Sequence, residues 1–244
     1  MAPRPDILVQ AERHVKSGLA RLPRPISHFL GYRDQAVTPS PDYLVCIWGF
    51  IGAFCGLSVI LAVFGHTDYF NSRSVPPIVA SFGASAILCY GAIDVPLAQP
   101  RSLVFGHFFS ALVGIVIATI FQFNLEQNNP PRLQWVAASL ATAIALVVMH
   151  LTRTTHPPAG ATALLPCVDP HIWALRWYFL AVVLLSSSLI LVTALLVNNL
   201  QRQYPKFWIA PIPPAPAPEV PQTKEIPRRG SSDPELGGSL SSHS

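Results

Sequence analysis

Tyr43–Gly65 reads YLVCIWGFIGAFCGLSVILAVFG, 23 residues without a charged side chain. As a helix rising 1.5 Å per residue it reaches about 35 Å, enough to cross a hydrocarbon core of about 30 Å with some tilt. Five further apolar stretches follow it: Val75–Ile93, Leu103–Phe123, Leu133–Leu151, His156–Val168 and Trp177–Val197. Named A to F in chain order, A, C, D and F read as transmembrane helices. B is long enough to cross but is rich in Pro, Gly, Ala and Ser. E has only 13 residues and opens on two prolines, so it reads as a half-helix or re-entrant segment. The expected class is all-α, a multi-span transmembrane helix bundle.

The composition agrees. The 244 residues are 51% hydrophobic and 11% charged, with mean hydropathy +0.42, whereas soluble domains carry about 25% charged residues. The net charge of +4 belongs to the ends. Six of the sixteen Lys and Arg residues precede Pro41 and five follow Leu200. Basic flanks beside apolar spans face anionic lipid on the cytoplasmic side, so both termini are expected in the cytosol. No aromatic-interleaved basic stripe points to nucleic acid. The expected organisation is a basic, surface-lying N-terminal segment over 1–42, a membrane domain over 43–205, and a disordered Pro/Ser-rich tail over 206–244. In that tail Arg228-Arg229-Gly230-Ser231 looks like a basophilic kinase site, and Asn198, Asn199, Arg202, Tyr204, Lys206 and Trp208 before it read as interfacial anchors. Cys46, Cys55, Cys89 and Cys167 have no CxxC spacing and read as small hydrophobes.

B contains Gly83-Ala84-Ser85-Ala86-Ile87-Leu88, and E contains Gly160-Ala161-Thr162-Ala163-Leu164-Leu165. The strings match as G-A-[S/T]-A-[I/L]-L, 77 residues apart, and each follows a Pro-Pro pair. Each also follows one long span and precedes another. The chain therefore reads as two similar three-segment units, A-B-C and D-E-F. Termini on one side demand an even number of crossings: six if B and E cross, four if both are re-entrant. Short segments interrupted by Gly and Pro at matching places in two halves point to a transporter's binding site.

His156-Pro157-Pro158-Ala159-Gly160-Ala161-Thr162-Ala163-Leu164-Leu165 resembles the signature of the HPP family of integral membrane proteins. Pro96-Leu97-Ala98-Gln99-Pro100-Arg101, with Gly106-His107 and Ser110–Gly114 after it, is similar to that family's second motif region. Leu195–Leu200 resembles its closing segment, and the likeness runs over about residues 40 to 205. The resemblance implies a four-span membrane protein and transport, with nitrite the substrate linked to some plant and cyanobacterial members.

The residues allow an anion site of definite chemistry. Pro157 and Pro158 suit the first turn of a helix, where a missing N–H leaves no bond unmade. The free N–H groups beyond them carry the positive end of the helix dipole. Gly160 lets a ligand approach the backbone, and Thr162 offers a hydroxyl. Gly83 and Ser85 repeat that chemistry in B. His156 is placed to bear or relay a proton, although it also suits a turn-ordering role. His107 in C has the same two readings. Arg101 and Arg153 flank spans, where they steer an anion or serve as interfacial anchors. His150 and His156 lack the helical spacing and acidic partner of a zinc site, so no metal and no cofactor is expected.

The leading function is a transporter or channel for a small inorganic anion. One alternative is a structural or regulatory membrane subunit that displays its tail. The other is an intramembrane enzyme using His107 and His156 as acid and base, against which stands the lack of HExxH, GxSxG or paired intramembrane carboxylates. The expected partners are a small inorganic anion and membrane lipid, with a homo-oligomer left open. Tags placed at the two ends of the chain should both be accessible from the cytosol alone; ends on opposite sides would exclude the four- and the six-crossing arrangement together.

Overall fold

The computed structural model describes residues 6–34, 40–125 and 133–213. These residues contain helices and connecting segments and no strand. Most of the expected tail, including the Arg228–Ser231 pattern, lies outside the described residues.

Among the described residues four helices are long and apolar enough to cross a membrane. They are α3 (Asp42–His66), α6 (Pro100–Leu125), α7 (Gln134–Leu151) and α10 (Tyr178–Asn198), matching A, C, D and F. The flank before them forms α1 (Ile7–Ala20) and α2 (Arg24–Phe29), and α4 (Asp68–Asn71) follows α3. Segment B becomes α5 (Ser81–Ala86), which runs on into a wider π turn at Ile87–Gly91. Segment E becomes α8 (Pro158–Val168), followed by α9 (Pro170–Leu175). Eleven residues of helix rise only about 16 Å, half a hydrocarbon core.

The two outer helices α3 and α7 each bury a narrow stripe and leave the rest apolar and outward, whereas α6 and α10 are more deeply enclosed. On α3 the buried stripe is Gly52, Gly56, Ile60 and Phe64, while Phe50 and Phe54 are exposed. On α7 it is Ala137, Ala141, Ala145 and Met149. An i, i+4 stripe of small residues lets helices approach closely, and an apolar outer face suits lipid. The short helices fill the space between. α5 and the π turn pack against α3 and α10, whereas α8 packs against α7 and α6. The long helices pair as α3 with α10, α6 with α7, and α6 with α10. This pattern maps onto itself when A, B and C exchange with D, E and F.

Two close approaches set the packing. A Cβ at Gly114 of α6 would overlap the Ala163 carbonyl of α8. A Cβ at Gly52 or Gly56 would overlap the Tyr90 ring, which lies in the groove they leave.

At the end of α10 and just beyond it, four of the six residues expected as interfacial anchors turn inward instead. Asn198, Asn199, Arg202 and Tyr204 are buried. The π turn ends inside the bundle, so its last carbonyls need donors. Asn198 Nδ2 donates to the Cys89 carbonyl at 2.9 Å and Arg202 to the Tyr90 carbonyl at 3.0 Å. The Tyr204 hydroxyl donates to the Ala98 carbonyl at 2.7 Å.

The N-terminal flank docks on this same region. Asn199 Nδ2 donates to the carbonyl of Phe29, and Arg33 donates to Asn199 Oδ1, each at 3.0 Å. Glu12, buried on α1, accepts the N–H groups of Trp208 and Ile209 at 3.0 and 2.7 Å. Trp48 near the start of α3 donates to Gln201 at 2.9 Å. The start of α3 and the end of α10 therefore lie at one end of the bundle.

Gly114→Ala should lower stability by about 1–3 kcal/mol, the usual cost of overpacking against an immovable neighbour, read as earlier thermal unfolding in detergent. Asn199→Ala should leave the spans folded but free the N-terminal flank, so that limited proteolysis cuts between α1 and α3 faster than in the parent protein.

Candidate functional site

The two short helices meet where they carry hydroxyls. Ser81 opens α5 and Ser85 follows one turn later, so both point from one face of that helix. Thr162 lies one turn into α8. Ser81 Oγ and Thr162 Oγ1 are 2.8 Å apart. His107, from the buried side of α6, places Nδ1 at 2.8 Å from Thr162 Oγ1 and Nε2 at 2.7 Å from Ser85 Oγ. His156, in the turn before α8, places Nε2 at 2.9 Å from the same Ser85 oxygen. Its Nδ1 lies 2.8 Å from the Leu97 carbonyl. The two imidazoles are 4.9 Å apart edge to face, and Phe82 stacks on His107 at 4.4 Å.

Ser85, His107, His156 and Thr162 are fully buried and Ser81 nearly so. The backbone makes room for this: a Cβ on Gly106 would lie 2.8 Å from His156 Cβ and 2.9 Å from the Thr154 carbonyl. Gly106 thus lets the strand of chain before α8 lie directly against α6.

Of the residues expected at the site, His156, Thr162, Ser85 and His107 come together. The others stand apart. Pro157 caps α8 and is exposed, while Pro158 begins the helix and is buried. The N–H groups of Ala159 and Gly160 bond back to the carbonyls of His156 and Pro157 at 2.9 and 3.0 Å. Those two donors, expected to be free for an anion, are occupied within the turn. Gly160 faces α7, where Thr142 Cγ2 would stand 3.7 Å from an added Cβ. Nothing lies within 4 Å of a Cβ added at Gly83. Arg101 donates to the carbonyls of Thr152 and Ile209, at 2.5 and 3.3 Å. Arg101 and Arg153 line a cleft of about 290 Å³ together with Asp6 and Leu8 from the N-terminal flank. Arg153 pairs with Asp6. That guanidinium, with help from the Leu8 N–H, holds the Asp6 carboxyl below its usual range.

Sequence reasoning missed Ser81, although its i, i+4 spacing to Ser85 was a signal. It also missed Gln99, fully buried, whose amide donates to the carbonyls of Ile93 and Val95 while its oxygen accepts from the Lys206 N–H. A lone Gln inside a Pro-flanked turn was the clue there. Among the described residues no group of three or more His, Cys, Asp and Glu side chains could hold a metal ion.

A transmembrane protein of Dictyostelium discoideum is 36% identical over 183 residues, 74% of this chain and 61% of that protein. A second from the same organism is 38% identical over 164 residues, 66% of this chain and 50% of that protein. The chain spans about half to three-fifths of the length of the curated relatives it matches. No solved structure matches. The family description "HPP, transmembrane region" matches residues 38–205, which hold all four long helices and every member of the buried cluster, and the chain belongs to this family.

Proposed function

We infer that the chain is a membrane transporter or channel for a small inorganic anion, with nitrite the first substrate to try on family grounds. One observation carries the reading: α5 and α8, two half-helices, meet at a buried cluster of two histidines and three hydroxyls linked by hydrogen bonds. Polar side chains at that depth are costly, and they mark pathways more often than packing. Paired short segments in two halves are how many transporters build a site near the midplane. In this reading A-B-C and D-E-F are duplicated units, and the end of the bundle on which the basic N-terminal flank docks faces the cytosol.

His156, His107, Ser85 and Thr162 are the anion contacts, each a donor once its present acceptor is displaced. Pro157, Pro158 and Gly160 shape the turn and its packing on α7, and Gly83 lies beside the cluster in sequence only. Arg101 attracts the anion toward the bundle from the flank end. The partners are the anion and lipid, with a second copy of the chain as a further option.

A structural or regulatory subunit is the second reading. It is favoured by the internal pairing of the cluster, in which both nitrogens of each ring already have partners. Flux into proteoliposomes separates the two. Purified protein should admit nitrite or nitrate above protein-free liposomes, and His156→Ala should cut that flux at least about tenfold, the equivalent of about 1.4 kcal/mol, and flatten its pH dependence. Folded parent protein that moves neither anion would leave the structural reading in place.

A further inference from the structure

We propose that Ser81, Thr162, His107, Ser85 and His156 form a single-file proton relay through the centre of the bundle, which couples one proton to each anion carried. The coupling rests on the anion-transport reading; the relay does not.

The hydrogens of this chain follow from its end. His156 Nδ1 faces the Leu97 carbonyl at 2.8 Å. A carbonyl only accepts, so Nδ1 holds a hydrogen, and in a neutral ring Nε2 is then bare. Ser85, 2.9 Å from that nitrogen, must donate to it. Its oxygen is left as an acceptor for His107 Nε2 at 2.7 Å, which therefore carries the hydrogen. His107 Nδ1 is bare in turn and accepts from Thr162 at 2.8 Å. Thr162 Oγ1 accepts from Ser81, also at 2.8 Å. The competing contact, Ser85 Oγ to the Ser81 carbonyl, is longer at 3.2 Å. One backbone carbonyl thus orients every hydrogen in the file.

Such a file can pass a proton without moving heavy atoms. A proton arriving on Ser81 releases the Ser81 hydrogen to Thr162. Thr162 passes its own to His107 Nδ1, His107 passes the Nε2 hydrogen to Ser85, and Ser85 passes its own to His156 Nε2. Only O–H and N–H bonds break and form. One positive charge has moved from Ser81 to His156, now an imidazolium, and His107 has become its other neutral tautomer.

The surroundings link this charge to an anion. From α5 and the π turn come hydroxyls, with Cys89 and Tyr90 turned to the carbonyls of Ala98 and Ile190. From α6 comes Arg101, held by two carbonyls. From α7 come Met149, and His150, which is exposed and bonded to the Leu146 carbonyl. Cys167 lies on α8 near its far end, and α10 turns the hydroxyls of Ser186 and Ser187 inward. Arg153 is engaged by Asp6. Among the described residues no carboxylate hydrogen-bonds either ring. A buried imidazolium without a counter-charge is costly. An anion beside His156 removes that cost, so each ligand strengthens binding of the other by the same factor.

Two measurements on the full chain decide the matter. Nitrogen-15 spectra of histidine-labelled protein in bilayers should show the hydrogen on Nδ1 of His156 and on Nε2 of His107. Thr162→Val, which keeps the side chain's shape, should shift the His107 signals, and Thr162→Ser should not. In proteoliposomes given nitrite or nitrate, with passive leak through protein-free liposomes subtracted, a trapped pH dye should report one proton per anion. Thr162→Val should cut the protons taken up per anion at least about tenfold, within the range of a lost proton-transfer step. Thr162→Ser should restore it, and Ser188→Ala, on the exposed face of α10, should match the parent. The opposite tautomer on either ring overturns the relay. Anion flux without protons, or Thr162→Val with parental proton uptake per anion, overturns the coupling and leaves anion transport standing. If folded protein moves neither anion, anion transport and the coupling both fall, and the tautomers alone decide the relay.

Discussion

Ser85 Oγ stands between the Nε2 atoms of His107 and His156, and this shared contact makes demands on every neighbouring element. No water in a hydrocarbon interior can satisfy a stray donor, so the protein must close the set itself. α8 has to start at Pro158 rather than a turn earlier, so that the preceding segment can bring His156 alongside α6. That approach needs a glycine at 106. On the other side, the helix that begins at α5 and continues as the π turn ends at Gly91, and the turn at Pro96–Ala98 that follows supplies the Leu97 carbonyl that anchors His156. Both short helices are thus flanked by chain that the cluster uses, the turn holding His156 before α8 and the turn holding Leu97 after the π turn.

Interruption creates a second demand. The π turn leaves the carbonyls of Cys89 and Tyr90 inside the bundle, and the side chains that meet them come from the last residue of α10 and from just past it. Gln99 performs the same service for the loop between the π turn and α6. A polar cluster at one place in an apolar bundle thus requires a second polar set nearby, and the second set ties the flanks to the core through Asn199 and Glu12.

The long spans were legible in the sequence because they depend on length and lack of charge alone. The start of α8 was legible for a local reason, the Pro-Pro pair. The start of α5 was not: Pro76-Pro77 stand several residues before it, and residues 75–80 form no helix. His156, Ser85, His107 and Thr162 could be chosen by chemistry, but their mutual contact depends on how three helices are rotated, which no local pattern encodes. Asn198 and Arg202 show the limit most clearly. A polar residue at a span's end can reach outward to headgroups or inward to a buried carbonyl, and its identity does not say which. That choice was made by the π turn, more than a hundred residues earlier in the chain.

The clamp between the two flanks also orders events in time. Glu12 and Arg33 leave the ribosome before any span, yet their partners Asn199, Trp208 and Ile209 are made only after the last one. Contacts so far apart in sequence are the slowest kind to close. During insertion the N-terminal helices must remain without their docking site while all four spans enter the bilayer, and the domain is sealed from its ends as the final step of its assembly.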